Sequence, residues 1–298
     1  MTSLVVGATG KLGGEICRLL AMSGESVRAL VRESSNPDRV EMLRTLRADI
    51  ITGDLKSRPT LDAACSKVHA VFTTASALGS QHPEDSLDLV DRLGQRSLID
   101  AAVAAGVERF VYISVLGLIN NYAFARAKLG VEQYLRESGL TYSILQPTVY
   151  MDDWLTPELG FDFPNGKVVV YGDGTNKLAW VLSADVAQVA VAAAKEPSLA
   201  NATIPVTGPD LLSPNEVIAI FEEVAGEKYE VTYVSTEELE AQRASASNPV
   251  EESFAGIFLR YAAGDPPEQA QPGRGFSMQR TSVWEFAKRS VERSRSNN

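Results

Sequence analysis

The sequence predicts an α/β fold, a Rossmann-type doubly wound parallel sheet with a smaller C-terminal substrate-binding lobe. Three observations predict it. Short apolar stretches alternate with amphipathic helical stretches over the first half of the chain. Those apolar stretches are continuous, which suits strands covered by helices on both faces. The first runs into Gly7-Ala8-Thr9-Gly10-Lys11-Leu12-Gly13 and then a helix, the setting in which spaced glycines bind phosphate.

Each element follows from local pattern. Residues 3–8 form the first strand and 11–24 a helix ended by Gly24. Residues 26–31 form a second strand, and 37–47 a helix with Pro37 in its first turn. Residues 48–55 are a strand, 60–68 a short helix and 70–76 a fourth strand. Residues 84–106 read as one long helix closed by Gly106, and 109–117 as the fifth strand. In 121–140, Phe124, Ala127, Val131 and Leu135 recur at helical spacing, with Lys128 inside the apolar stripe. Residues 141–147 form a sixth strand.

After Pro147 the rhythm loosens. Residues 167–181 read as a hairpin around Gly172-Asp173-Gly174. Residues 183–196 form a helix with Ser183 as N-cap, followed by a strand at 202–208, a helix at 213–226 and a strand at 228–234. Two further helical stretches flank 264–275, whose proline and glycine content predicts irregular structure. The expected division is an NAD(P)-binding Rossmann domain over 1–150 and a smaller substrate-binding lobe over 151–298, interleaved with it.

Composition narrows the function classes. The chain has 298 residues and a net charge of −10, which disfavours nucleic acid and anionic membranes. The basic residues Lys288, Arg289, Arg293 and Arg295 read as a solvated helix end. No apolar run is long enough to span a bilayer, and no signal-peptide pattern is read. Two isolated cysteines, Cys17 and Cys65, predict a reduced, cytoplasmic protein, and His69 and His82 lack metal-ligand spacing, so no metal site is expected.

The glycine turn predicts a dinucleotide. Gly7 permits the turn, Gly10 lets backbone approach a diphosphate, and Gly13 lets helix and strand pack closely. Thr9, Lys11 and Leu12 complete the turn, and the helix N-terminus offers N–H groups and a positive dipole end. A carboxylate at the tip of the second strand would favour NAD(H). Arg32 occupies that tip, with Ser34 and Ser35 after it, and suits the 2′-phosphate of NADP(H). Glu33 keeps NAD(H) as the lesser alternative, and a surface Arg32–Glu33 pair is the bland reading. Other strand ends supply Asp54 (adenine edge, or merely a turn residue), Thr73, Thr74, Ala75, Ser114, Pro147 and Val149. Ser114 reads equally as a buried hydroxyl bonded to backbone.

GATGKLG, VRALVR, GVERFVYIS, AKLGVEQYLRESGLTYSILQP and SADVAQVAV together resemble the NmrA-like group of atypical short-chain dehydrogenases/reductases. That group includes isoflavone reductases, quinone oxidoreductases, triphenylmethane reductases and redox-sensing regulators. The resemblance covers the first 200 residues well. In the wider superfamily to which that group belongs, the helix corresponding to 121–140 carries Tyr-x-x-x-Lys and a Ser or Thr follows the fifth strand, whereas isoflavone-reductase-like enzymes keep the lysine without the tyrosine. Here the lysine is Lys128, but Phe124 stands at the tyrosine position and Val115 at the Ser/Thr position, with Ser114 one residue earlier.

Lys128 then has four readings: a nicotinamide-ribose anchor, a direct acid/base, a helical pair with Glu132, or a snorkelling surface lysine. Tyr150 is the candidate replacement hydroxyl, or a packing aromatic. Asp152 and Asp153 read as a helix cap, and Asp185 as a first-turn helix acid. The expected function is an NADPH-dependent oxidoreductase acting on a small-molecule acceptor that is flat and conjugated, quinone-like or carbonyl-bearing. Trp154, Phe161, Phe163 and Trp180 are aromatic candidates for holding it. The alternative is an NADP-binding redox sensor or assembly protein with a protein partner and no catalysis.

Overall fold

A computed structural model describes residues 1–80, 82–266 and 280–297. By contacts the chain divides into two units: Met1–Val115 with Ile119–Gln146 and Val186–Ile204, and Leu116–Leu118 with Pro147–Asp185 and Pro205–Asn298. Residues 186–204, which the expected boundary at 150 puts in the second lobe, therefore pack in the first unit.

The strands of the first unit are β1 (Thr2–Val6), β2 (Ser26–Val31), β3 (Asp49–Thr52), β4 (Ala70–Thr73), β5 (Arg109–Ile113) and β6 (Tyr142–Pro147). Between them run α1 (Lys11–Met22), α2 (Pro37–Thr45), α3 (Arg58–Cys65), α4 (Gln95–Ala105) and α5 (Ala123–Glu137). The strands β1 to β6 pair in parallel, in the order β6-β5-β4-β1-β2-β3. The later strand β11 (Ala202–Val206) extends the sheet to seven beside β6. The chain changes direction between β1 and β4, so their carboxyl ends are where ligands bind in such sheets.

Local chemistry fixes the helix ends. Asn36 accepts the N–H groups of Asp38 and Arg39 ahead of Pro37, and Gly106 closes α4 in the left-handed region. One face of α1 buries Gly13, Ile16, Cys17 and Leu20. Cys17 and Cys65 are free and buried, and burial pushes both thiols up to about 12.

The expected long helix over 84–106 is not uniform. Leu87–Gly94 forms a π-helix, capped by the Ser86 hydroxyl, before α4 begins. Gly94 lies where a Cβ would stand 2.8 Å from Leu55 Cβ, so this segment presses closely on the β3–α3 connection. Two turns are too short for an apolar pattern to separate the π from the α period.

The second unit holds β7 (Val149–Tyr150), α6 (Met151–Trp154), β8 (Phe161–Asp162), β9 (Lys167–Tyr171) and β10 (Leu178–Val181). After α7 (Ser183–Lys195) and β11 come β12 (Leu211–Leu212), α8 (Pro214–Ala225), β13 (Glu230–Val234), α9 (Thr236–Ala244), α10 (Pro249–Ala263) and α11 (Val283–Asn297). The expected hairpin at 167–181 does not form. β9 pairs with β8 and, in parallel, with β13, whereas β10 pairs with β7 and β12. The Gly172–Gly174 turn is instead tied to the start of α8: Asn215 donates its side-chain amide to Asp173 O and its N–H to Gly174 O.

Trp180, Phe161, Phe221 and Tyr261 centre the core of this unit, against Val283, Ala287 and Val291 of α11. Within the basic tail, Arg295 donates to Ala225 O at 2.6 Å, capping the carboxyl end of α8. The loop at 264–275 lies largely outside the described residues. No helix among the described residues is long and apolar enough to cross a membrane.

Two helical glycines give opposite stability forecasts. An added Cβ at Gly130 in α5 meets nothing within 4 Å, so Gly130→Ala raises stability by about 1 kcal/mol through helix propensity. Gly94→Ala lowers it by about 1–3 kcal/mol through overpacking. Urea denaturation of both variants checks the pair of signs.

Candidate functional site

The first unit presents the glycine turn at the end of β1. Gly7 has φ +85°, and a Cβ there would lie 2.5 Å from Thr74 Oγ1 and 2.9 Å from Ala75 N. A Cβ on Gly13 would lie 2.2 Å from Gly7 O, so turn and helix interlock. Gly10 differs: its only neighbour within 4 Å is Gly7 O at 3.2 Å. Gly7 and Gly13 are thus small for internal packing, and Gly10 leaves one face open for a ligand. Gly10 caps α1 without a side chain, and no acidic residue stands in the first turn of the helix. Thr9 and Leu12 are half-buried, and Lys11 is exposed.

At the tip of β2, Arg32 is exposed and pairs with Asp85 at 2.6 Å, not with Glu33. Ser35 accepts the Arg32 N–H, closing a local turn. Asp54 accepts the Lys56 N–H at 2.8 Å and ion-pairs its ammonium at 3.0 Å, so its carboxylate is engaged as a turn residue. At the end of β4, the Thr73 hydroxyl donates to Gln95 Oε1, and Gln95 Nε2 donates to Ala75 O, both at 2.9 Å. Gln95 thereby fixes the strand end that presses on Gly7. Thr74 Oγ1 lies 3.4 Å from both Val6 O and Gly7 O.

Lys128 projects from α5 into the same unit and is only 4% exposed. Among the described residues its ammonium donates one hydrogen bond, to Ile113 O at 3.1 Å, and it lies over the rings of Tyr112 (5.1 Å) and Phe124 (5.5 Å). Asp91 Oδ1, in the π-helix, is 4.0 Å away, too far for a hydrogen bond, and has no hydrogen-bond partner among the described residues. Asp91 Oδ2 accepts the Ala77 N–H at 2.8 Å. Burial lowers the Lys128 pKa and raises that of Asp91, against their mutual attraction. The amine keeps unused donors in a nearly dry setting, an arrangement that ligand hydroxyls can complete.

Glu132 is not the lysine's close partner. It accepts from the Ser114 hydroxyl at 2.5 Å, from Gln146 at 2.9 Å and from Arg136 at 2.8 Å. Ser114 is thus buried and bonded to a carboxylate, not to backbone. Asp91, Gln95, Lys56 and Asp85 complete these contacts beyond the residues expected from sequence, and Glu132, expected as a helical partner of Lys128, pairs with Ser114, Gln146 and Arg136 instead. A signal existed for Asp91: it is a charge among Leu87, Val90 and Gly94 on a buried helical face, the same anomaly that singled out Lys128.

Pro147, Val149 and Tyr150 fall in the second unit. Val149 is paired with Trp180 across β7 and β10. The Tyr150 hydroxyl is buried with no hydrogen-bond partner among the described residues, and burial raises its pKa far above the phenolic range, so it holds its proton. Asp152 caps α7 through the Ser183 N–H and hydroxyl, and Asp185 accepts the Thr281 N–H. Phe161 and Trp180 are core residues, whereas Trp154 is half-buried and stacked on Tyr261 at 4.3 Å.

Two experiments test this geometry. Gly10→Ala should fold with stability within about 1 kcal/mol of wild type yet bind dinucleotide at least about tenfold more weakly, whereas Gly13→Ala should lose about 1–3 kcal/mol of stability. Calorimetric titration and urea melts read the two effects. For Lys128→Met and Asp91→Asn, the double variant should lose less stability than the sum of the singles by at least about 0.5 kcal/mol, since either single leaves a buried partner uncompensated. Strictly additive losses would show that the two groups do not interact.

A family model described as the NmrA-like family matches residues 1–271. The chain is 31% identical over 267 residues to an NAD(P)H azoreductase of Xenophilus azovorans, covering 89% of this chain and 87% of that protein. It is 29% identical over 238 residues to the photosystem II assembly factor Ycf39 of Guillardia theta, covering 78% and 73%. The fold matches an NADPH-dependent quinone oxidoreductase from Escherichia coli, complexed with NADPH, at a TM-score of 0.75 and 20% identity, covering 97% and 99%. Taken with the glycine turn and the lysine-bearing helix, the matched length shows that the chain belongs to the NmrA-like family.

Proposed function

We propose that this protein is an NADPH-dependent reductase of a small, flat, conjugated acceptor, of the azo, quinone or carbonyl type. The observation that carries the proposal is the Lys128 ammonium, buried with a single hydrogen bond in the unit that holds the open Gly10 turn. The similarity to an NAD(P)H azoreductase over most of both chains supports the reaction class.

The residues fit a dinucleotide. The open side of Gly10 and the uncapped α1 N-terminus would hold the diphosphate. Thr9, Lys11 and Leu12 would flank it. Arg32 would meet a 2′-phosphate, and Asp54, Thr73, Thr74, Ala75 and Ser114 stand at the neighbouring strand ends. When bound, the nicotinamide supplies the hydride.

The chain supplies position and protons. Lys128 Nζ would hydrogen-bond ribose hydroxyls with the donors it does not spend on Ile113. Its depressed pKa also lets Nζ release a proton more readily than an ordinary lysine. Asp91 Oδ1, with no hydrogen bond of its own, is the nearest carboxylate atom for returning that proton. Because Phe124 carries no hydroxyl, acceptors that need little protonic help suit the site best.

The reaction is tested by following oxidation of NADPH with a panel of azo dyes, quinones and aldehydes. Turnover of at least one conjugated acceptor is expected, with aldehydes slowest, and Lys128→Ala should lower kcat/KM about 100-fold. Tight NADPH binding without turnover of any acceptor would sink the reductase reading. It would favour a nucleotide-binding regulatory or assembly protein, a role consistent with Phe124 and with the similarity to an assembly factor.

A further inference from the structure

Three donors converge on one carboxylate beyond the tip of β2. Arg32 Nη1 lies 2.6 Å from Asp85 Oδ2, Ser80 Oγ lies 2.7 Å from the same oxygen, and Lys56 Nζ lies 2.6 Å from Asp85 Oδ1. The Asp85 side chain is 3% exposed, whereas that of Arg32 is 43% exposed. Burial alone would raise the Asp85 pKa. Hydrogen bonds from Lys56, Ser80 and Arg32 outweigh it and hold the carboxyl at about 2, so the group is an anion at neutral pH. A guanidinium, an ammonium and a hydroxyl closing on one anion form the donor set that suits a phosphate monoester. Here the chain has filled that set with its own carboxylate.

We infer that Asp85 is a tethered stand-in for the 2′-phosphate of the adenosine ribose, and that Asp85 and Lys56 set the preference for a 2′-phosphorylated dinucleotide; the inference rests on the NADPH reading above. Arg32 marks the place where this phosphate meets a fold of this type. Lys56 joins it as a second cation, already oriented by Asp54 at 3.0 Å. A phosphate dianion carries more charge to these donors than a carboxylate does and can displace it. It must then tolerate the displaced Asp85 nearby, whose charge repels it. An unphosphorylated ribose carries no charge for Asp85 to repel. Preference is a difference of two affinities, and Asp85 acts against only one of them.

The test is calorimetric titration of the full chain with 2′,5′-ADP, 5′-AMP, NADPH and NADH. Asp85→Asn keeps the size of the side chain and removes its charge. It should tighten 2′,5′-ADP and NADPH by about tenfold or more and change 5′-AMP and NADH by less than about threefold. Lys56→Met should weaken the phosphorylated pair selectively, with urea melts verifying that both variants fold. An unchanged ratio in Asp85→Asn, or equal loss of both nucleotide types in folded Lys56→Met, overturns the inference alone. A wild-type chain that binds none of the four ligands overturns the NADPH reading as well.

Discussion

The first unit is organised around an absence of atoms at two positions, Gly7 and Gly13. Gly7, Gly13 and the end of β4 meet at distances no Cβ could occupy. β1, α1 and β4 are thereby locked at the point where the sheet order reverses. That lock has a second layer in Gln95, which holds Thr73 and Ala75 from the neighbouring helix. The turn is shaped before any ligand arrives, so binding need not meet the full entropy of ordering it.

Against this rigid frame stand two buried polar clusters with different energetic characters. Ser114, Glu132, Gln146 and Arg136 satisfy one another through short hydrogen bonds. Such a network, extended by the Arg136 hydrogen bond to Thr203 Oγ1 at 3.1 Å, ties α5 to the ends of β5 and β6. Lys128 and Asp91 are not satisfied in that way. Each retains polar capacity, and their pKa values move toward the neutral forms. Structural polar groups in an interior pair off completely, and incompletely paired ones mark places where something else is meant to bind.

Much of the first unit was legible because its strands are uninterrupted apolar runs and its glycines sit where a strand becomes a helix. Lys128 was legible because a charge on an apolar stripe is conspicuous. Its partner Asp91 was not read, since the pairing joins two helices remote in sequence and no local pattern encodes it. The second unit was harder. Gly172-Asp173-Gly174 is a strong turn signal, but the adjoining strand β9 takes β13 as its parallel neighbour across a long stretch of chain. The turn is held by Asn215, a contact that only the tertiary fold creates. Arg32 is conspicuous at the strand tip, yet the group that answers it, Asp85, reads from sequence as part of the helix over 84–106 and lies instead in the turn before Leu87.

The π-helix ahead of α4 has a consequence for how the polar residues are aligned. Leu87, Asp91, Gln95 and Ile99 are all buried and spaced every fourth residue. In a pure α-helix such a series drifts around the axis, because a turn closes in 3.6 residues. A wider π turn rotates the series the other way. Joined end to end, the two helix types cancel each other's drift and keep the four side chains in a single file. A one-residue deletion between Asp91 and Gln95 would change their spacing from four residues to three and turn Asp91 away from Gln95, leaving Lys128 without its facing carboxylate.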